Sequence, residues 1–151
     1  MLVSTRGRYG MRMMIDIARH QGQGRVALRE IGERQGISVK YLEQLARALC
    51  AAGLLEGSRG QGGGYVLAKS ADDITAGQIL RATEGSTAPV SCLTGEEECP
   101  RQEDCETNAF WVGLNKLISA YVNGYSLADL VNDSQGTGLT PGSCIGANHR
   151  G

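Results

Sequence analysis

Three cysteines, Cys92, Cys99 and Cys105, fall within fourteen residues that also carry five carboxylates, Glu96, Glu97, Glu98, Glu103 and Asp104. The surrounding stretch, APVSCLTGEEECPRQEDCET, has almost nothing apolar. With no face to bury, it can form neither a core strand nor an amphipathic helix. Thiols on such a polar loop are better explained as ligands for a metal than as packing groups.

The elements that position this loop must come from the rest of the 151 residues, enough for one domain with its own core. The N-terminus, MLVSTRGRYGMRMM, has basic residues but no apolar run of signal-peptide length. No stretch approaches the about 18 apolar residues of a membrane span. The expectation is a cytoplasmic protein with no membrane partner. There, structural disulfides are uncommon, and an odd count of five cysteines also argues against full pairing.

Charge is divided along the chain. Residues 1–69 hold 11 Lys and Arg against 5 Asp and Glu, a balance of +6; residues 70–151 hold 4 against 11, a balance of −7. The basic half is suited to neutralising phosphates.

Within that half, Met11, Met14, Ile15 and Ala18 mark one face of a helix over 9–20, ended by the loop Gln21–Gly24. A short second helix follows in VALREIGERQ with Leu28 and Ile31 inward. Gly36 permits a sharp turn, and Ser38 is placed to cap a third helix burying Leu42, Leu45, Ala46 and Leu49 and ending near Gly53. Two short helices joined through a glycine turn read as a helix-turn-helix. Strands at Leu54–Glu56 and Tyr65–Leu67 around a glycine-rich tip then read as a wing. The run Gly60–Gly64 lacks the Lys-Ser/Thr of a phosphate-binding P-loop, and no helix follows it directly. The predicted fold class is mainly α with a small β-hairpin: a winged helix-turn-helix plus a long further helix.

The second helix of such a motif enters the major groove of double-stranded DNA with its N-terminal residues. The candidate readers are therefore Ser38, Lys40, Tyr41, Glu43 and Gln44. Gln44 has the groups to read adenine, Lys40 to meet phosphate or guanine, and Glu43 to accept from cytosine or repel phosphate. Arg59, at the wing tip, suits a narrow minor groove. A DNA reader beside a thiol cluster points to a metal- or redox-sensing transcription factor. No nucleophile constellation and no histidine beside a carboxylate suggests an enzyme.

Downstream, a short capped helix is expected over Thr75–Thr83. Past the thiols, Phe110, Leu114, Leu117, Ile118, Tyr121 and Tyr125 recur at helical spacing, widened by Trp111 and Val122. So apolar a helix outside a winged core suggests pairing with its twin in a homodimer. Ser126 caps a last short turn. The predicted organisation is 1–84 winged domain, 85–106 cysteine loop, 107–132 dimerisation and terminal helices, and 133–151 a polar tail read as disordered.

STRGRYGMRMM, ISVKYLEQL, RGQGGGYVLA, ITAGQIL, the three-cysteine loop, AFWVGLN and SLADLV together resemble the bacterial winged-helix regulators that include IscR, NsrR and CymR. The resemblance implies a homodimer on palindromic promoter sites. In the cluster-bearing branch it implies an iron–sulfur cluster, often 2Fe–2S, held here by Cys92, Cys99 and Cys105. Members like CymR lack those cysteines and sense through a partner protein, which is the alternative reading of this chain.

Chemically the implication is coherent. Iron–sulfur clusters take four ligands, mostly thiolates. Zinc favours knuckles with about two to four residues between cysteines, whereas the gaps here are six and five. Three free reduced thiols remain the plainer alternative, and the acidic neighbours are expected to raise their pKa. The fourth ligand is open. The slot that carries histidine in similar chains is Asn108, and the slot for an aspartate from the partner subunit is Arg8. Asn108, Glu103, Glu106, Cys144 and a small molecule remain candidates, with His20 and His149 the available imidazoles. Cys50, among Leu49, Ala51 and Ala52, reads as a buried inert thiol.

Overall fold

The computed structural model describes residues 2–133. Most of the predicted tail, from Ser134 on and including Cys144 and His149, lies outside the described residues. Among the described residues there are six α-helices and one two-stranded antiparallel hairpin. This is the winged helix-turn-helix architecture expected from the sequence.

The first helix, α1 (Thr5–His20), begins four residues before the apolar periodicity indicates. Its start is fixed by tertiary contacts. Ser4 is the N-cap, accepting from the Arg6 amide at 3.1 Å, and Glu84 Oε1 accepts from the Ser4 and Gly7 amides at 2.8 and 3.0 Å. A carboxylate far along the chain thus satisfies amides that a helix start leaves unpaired. The buried face is also rotated. Of Met11, Met14, Ile15 and Ala18, Met14 is fully buried and the others pack partly buried around the core. The centre of the face is Met13, Met14 and Ile17, all at 0% exposure. Gly10 lets the C-terminal turn of a later helix come close, since a Cβ there would lie 2.6 Å from Thr83 Cγ2.

Helix α2 (Leu28–Gln35) and helix α3 (Val39–Ala51) follow, joined through Gly36 in the left-handed region at φ 66°. All four residues expected inward on α3 are buried, as is Ile31 on α2, while Leu28 is half-buried against the same core. The wing pairs β1 (Leu55–Ser58) with β2 (Gly64–Leu67), in register Leu55 to Leu67 and Ser58 to Gly64. Helix α4 (Ala76–Glu84) opens on a capping box: Gln78 N–H donates to Thr75 Oγ1 at 3.1 Å, and Thr75 N–H to Gln78 Oε1 at 3.0 Å. Helix α5 (Asn108–Asn123) packs on α4, and α6 (Leu127–Asn132) returns to α1. Leu127, at 0% exposure, belongs to the winged core, tied by its amide to Ile74 O at 2.7 Å.

An ion pair with a buried carboxylate braces α1 against α2. The Asp16 side chain is 1% exposed and accepts from Arg34 at 2.7–3.2 Å and from Gln35 at 3.0 Å. Burial alone would push the Asp16 carboxyl up; hydrogen bonds from Arg34 and Gln35, Arg34's charge and His20 outweigh it and hold the group below its ordinary 3.8. A depressed carboxylate stabilises the fold above its unfolded pKa and ceases to do so as pH falls through the folded value. Arg34→Met should therefore cost about 2–3 kcal/mol at pH 7. That is less than the ~3–5 of a fully buried pair, because Arg34 is partly solvated. Urea titrations at pH 7 and pH 3 check this: the gap from wild type should narrow at the lower pH.

Candidate nucleic-acid interface and thiol loop

The N-terminal turn of α3 is presented outward by the tight connection before it. Gly36 N–H donates to Gly32 O at 2.9 Å, and Ile37 is buried behind the turn. Ser38 Oγ accepts from the Tyr41 amide at 3.2 Å, so the hydroxyl proton is left free to donate outward. Lys40, Glu43 and Gln44 are all exposed, and their spacing puts them on one side of the helix. Arg47 lies one turn further along the same side and is exposed too. It is not among the readers expected from the sequence, although the spacing of 40, 43, 44 and 47 places it with them.

Tyr41 differs from its neighbours. It is half-buried, packs against the core and meets the Tyr9 ring edge-on, with centroids 5.9 Å apart. Arg12 lies over the other ring, 5.2 Å from the Tyr9 centroid. The start of α1 therefore abuts the start of α3, with Thr5 and Tyr9 facing Ser38 and Tyr41 across a shallow hollow. Tyr41 is anchored there by its ring, and only part of its surface is offered outward.

The wing is docked rather than free. Val26 exchanges both backbone hydrogen bonds with Tyr65, at 2.9 and 2.8 Å, which adds a bridge on the far side of β2. Gly64, at φ 142°, sits so close that a Cβ would lie 2.5 Å from Val26 O. At the tip Gly60 and Gly62 have positive φ, and Arg59 beside them is exposed. The glycines serve backbone geometry, and the arginine is left as the tip's charged group.

The thiol loop runs between α4 and α5. Cys92 lies in a short 3₁₀ turn, Ser91–Leu93, Cys99 follows among the exposed glutamates, and Cys105 lies three residues before Asn108, where α5 begins. All three are free and half-exposed. They are not gathered: among the described residues no group of three or more His, Cys, Asp and Glu side chains is placed to hold a metal ion. The donor set nevertheless fits a thiophilic group chemically. Cys105 Sγ is 3.4 Å from Thr107 Oγ1. That hydrogen bond, with others from the Thr107 and Asn108 backbone, holds the thiol below its ordinary value against slight burial and the charge of Glu106. For Cys105 the acidic surroundings expected to raise the pKa are thus overruled by hydrogen bonding.

The remaining candidates are dispersed. Asn108 is the half-buried first residue of α5. His20 is engaged on its own helix, with Nδ1 2.8 Å from Asp16 O and 3.5 Å from its carboxylate. Arg8, Glu103 and Glu106 are exposed. Cys50 is half-buried against the core, less enclosed than expected, and burial raises its pKa.

Two helices joined by a tight turn, followed by a docked glycine-tipped hairpin, define a winged helix-turn-helix protein of the DNA-binding class. A family model described as Rrf2, iron-dependent transcriptional regulator, matches residues 3–133. Protein rrf2 of Nitratidesulfovibrio vulgaris is 43% identical over 134 residues, spanning 89% of each chain. The HTH-type transcriptional regulator IscR of Erwinia tasmaniensis is 42% identical over 135 residues, 89% of this chain and 81% of that one. Among solved structures, IscR of T. potens matches with TM-score 0.72 at 37% identity over 94% of both chains. CymR of B. subtilis matches with TM-score 0.71 at 37% identity, over 88% of this chain and 98% of that one. The chain belongs to the Rrf2 family of transcriptional regulators. Relatives are named as regulators and not as enzymes. No helix among the described residues is long and apolar enough to cross a membrane.

Proposed function

We propose that this chain is a cytoplasmic, homodimeric regulator that binds palindromic promoter DNA. In this reading it senses iron–sulfur cluster status, or redox or nitrosative stress, through a cluster held by Cys92, Cys99 and Cys105. The observation that carries the reading is the loop itself: three free, half-exposed thiols in a segment with no core to serve, one of them already polarised toward thiolate. When bound, an iron–sulfur group, 2Fe–2S by resemblance, would supply an oxidisable and removable metal centre. The protein's part is to furnish the sulfurs and bring the loop together around them, with Asn108 at the slot of a fourth ligand.

The chemistry of the loop separates this from the alternative, a cluster-free regulator controlled by a protein partner as CymR-like chains are. CymR is like this chain in sequence as well as in fold, at the same 37% identity as the IscR structure, so the thiols discriminate: a partner-controlled chain has no need of three of them on a polar loop. Anaerobic purification followed by iron and sulfide analysis and a visible spectrum tests the reading. Absorption no greater than that of the triple cysteine variant would overturn it.

For DNA, the exposed Lys40, Glu43, Gln44 and Arg47 face of α3, with Ser38 and the outward part of Tyr41, is assigned to the major groove, and Arg59 to the minor groove. Arg59→Ala should weaken binding by about 1–3 kcal/mol at sites with an A·T-rich minor groove. Lys40→Ala, as a phosphate contact, should weaken all sequences alike and lower the salt slope by about one. Quantitative footprinting across a salt series reads both, and unchanged footprints for both variants would refute the docking.

A further inference from the structure

Trp111 is the only tryptophan of the chain, and its indole Nε1 lies 3.2 Å from Thr107 Oγ1. An indole nitrogen only donates, so Thr107 accepts in that bond and keeps its single O–H proton for another partner. The partner within reach is Cys105 Sγ, 3.4 Å from the same oxygen. Distance alone lets either atom donate in that contact. The indole biases the direction, because a hydroxyl that accepts one hydrogen bond becomes a better donor in the next. A sulfur that has given up its proton to ligate a metal can only accept, so the hydroxyl must then be the donor.

A second feature shows that this arrangement displaces the local default. Thr107 occupies the N-cap of α5, where threonine ordinarily turns its oxygen to an amide of the first helical turn. Here it makes no side-chain cap bond and has helical backbone angles, φ −101° and ψ −1°. Its hydroxyl is turned to the sulfur and the indole instead.

We propose that Thr107, held by Trp111, is a positioning residue that donates a hydrogen bond to the Cys105 sulfur and so tunes the cluster assigned to the loop. The proposal rests on the functional reading above. Hydrogen bonds to a ligating sulfur stabilise the more negative, reduced form of an iron–sulfur group and raise its potential. The tuning hydroxyl also belongs to the N-cap residue of α5, so the sulfur's environment is built into the start of that helix.

Full-length Thr107→Val, which keeps shape and loses the hydroxyl, is compared with Thr107→Ser, which restores it. In the metal-free ¹⁵N-labelled protein the single indole N–H signal should exchange faster with solvent in Thr107→Val and be unchanged in Thr107→Ser. After anaerobic reconstitution, Thr107→Val should shift the reduction equilibrium about tenfold toward the oxidised form, equivalent to a midpoint about 59 mV more negative for a one-electron couple. Thr107→Ser should titrate as wild type. A reconstituted Thr107→Val with the wild-type midpoint, or an indole signal indifferent to both substitutions, overturns the inference. Wild-type protein that takes up no iron overturns the functional reading and, with it, this role for Thr107.

Discussion

Replacing Cys92, Cys99 or Cys105 singly by alanine is expected to lower the iron retained by the anaerobically purified protein at least about tenfold, a loss that even outer-shell changes at metal sites can produce. The reason lies in the open loop. Because the three thiols are not convergent among the described residues, the proposed cluster would require the loop to close as it binds, with the ordering cost met by metal–sulfur bonds. Two sulfurs leave too few such bonds to hold the loop shut. Cys50→Ala is the control: its thiol is half-buried against the core and raised in pKa, so iron content should not change. Asn108→His should lengthen the cluster's lifetime by placing an imidazole at the opening residue of α5. Truncation after Asp133 tests Cys144 and His149, since iron loss would implicate them as the fourth ligand and retention would exclude both. Iron and sulfide analysis with visible spectra reads every arm. Undiminished iron in any one of the three loop variants would remove that cysteine from the ligand set.

Helix α3 was the most legible part of the chain. Leu42, Leu45, Ala46 and Leu49 are buried as their spacing indicates, because α3 meets the core along a single stripe. Helix α1 was less legible because it is contacted from several sides, by α4, α6 and β2 among others. Its buried arc is therefore wider than one stripe, and its centre moves to Met13 and Ile17. Gly7 and Gly10 are silent in a hydrophobic pattern, yet they set how near α4 can come.

In the candidate sites, residue types were readable and environments were not. Asp16 looks like one more surface charge until Arg34 and Gln35, 18 and 19 positions on, close over it. Glu84 looks like the end of a helix until it caps the start of another. Composition placed Cys105 among carboxylates that should oppose its ionisation. The hydroxyl two residues away, invisible to composition, reverses the sign. Local sequence proposes the groups, and tertiary contact decides their chemistry.

Phe110→Glu with Leu117→Glu is expected to yield a folded monomer that binds operator DNA about 10²–10⁴-fold more weakly, the range lost when two linked binding events become separate. The stripe read along α5 divides into two faces. Ile118 and Val122 line a groove with Leu80 of α4, and Leu114, also half-buried, shares their side of the helix. Phe110 and Leu117 stand 65% and 71% exposed, seven residues apart on another side, with Tyr121 at 55%. None of the sixteen residues of α5 is fully buried within this chain. So exposed an apolar face signals a contact surface, and a second copy, aligning the same face on both partners, is the occupant that the proposed palindromic site would call for. Because the substituted positions are already solvated, the monomer's own stability should move by no more than about 0.5 kcal/mol. Leu114→Glu, by contrast, puts a charge into the half-buried face and should lower the melting temperature as well. Sedimentation, thermal melts and operator titration distinguish the two effects. A double variant that still sediments as a dimer would place the interface elsewhere on the molecule.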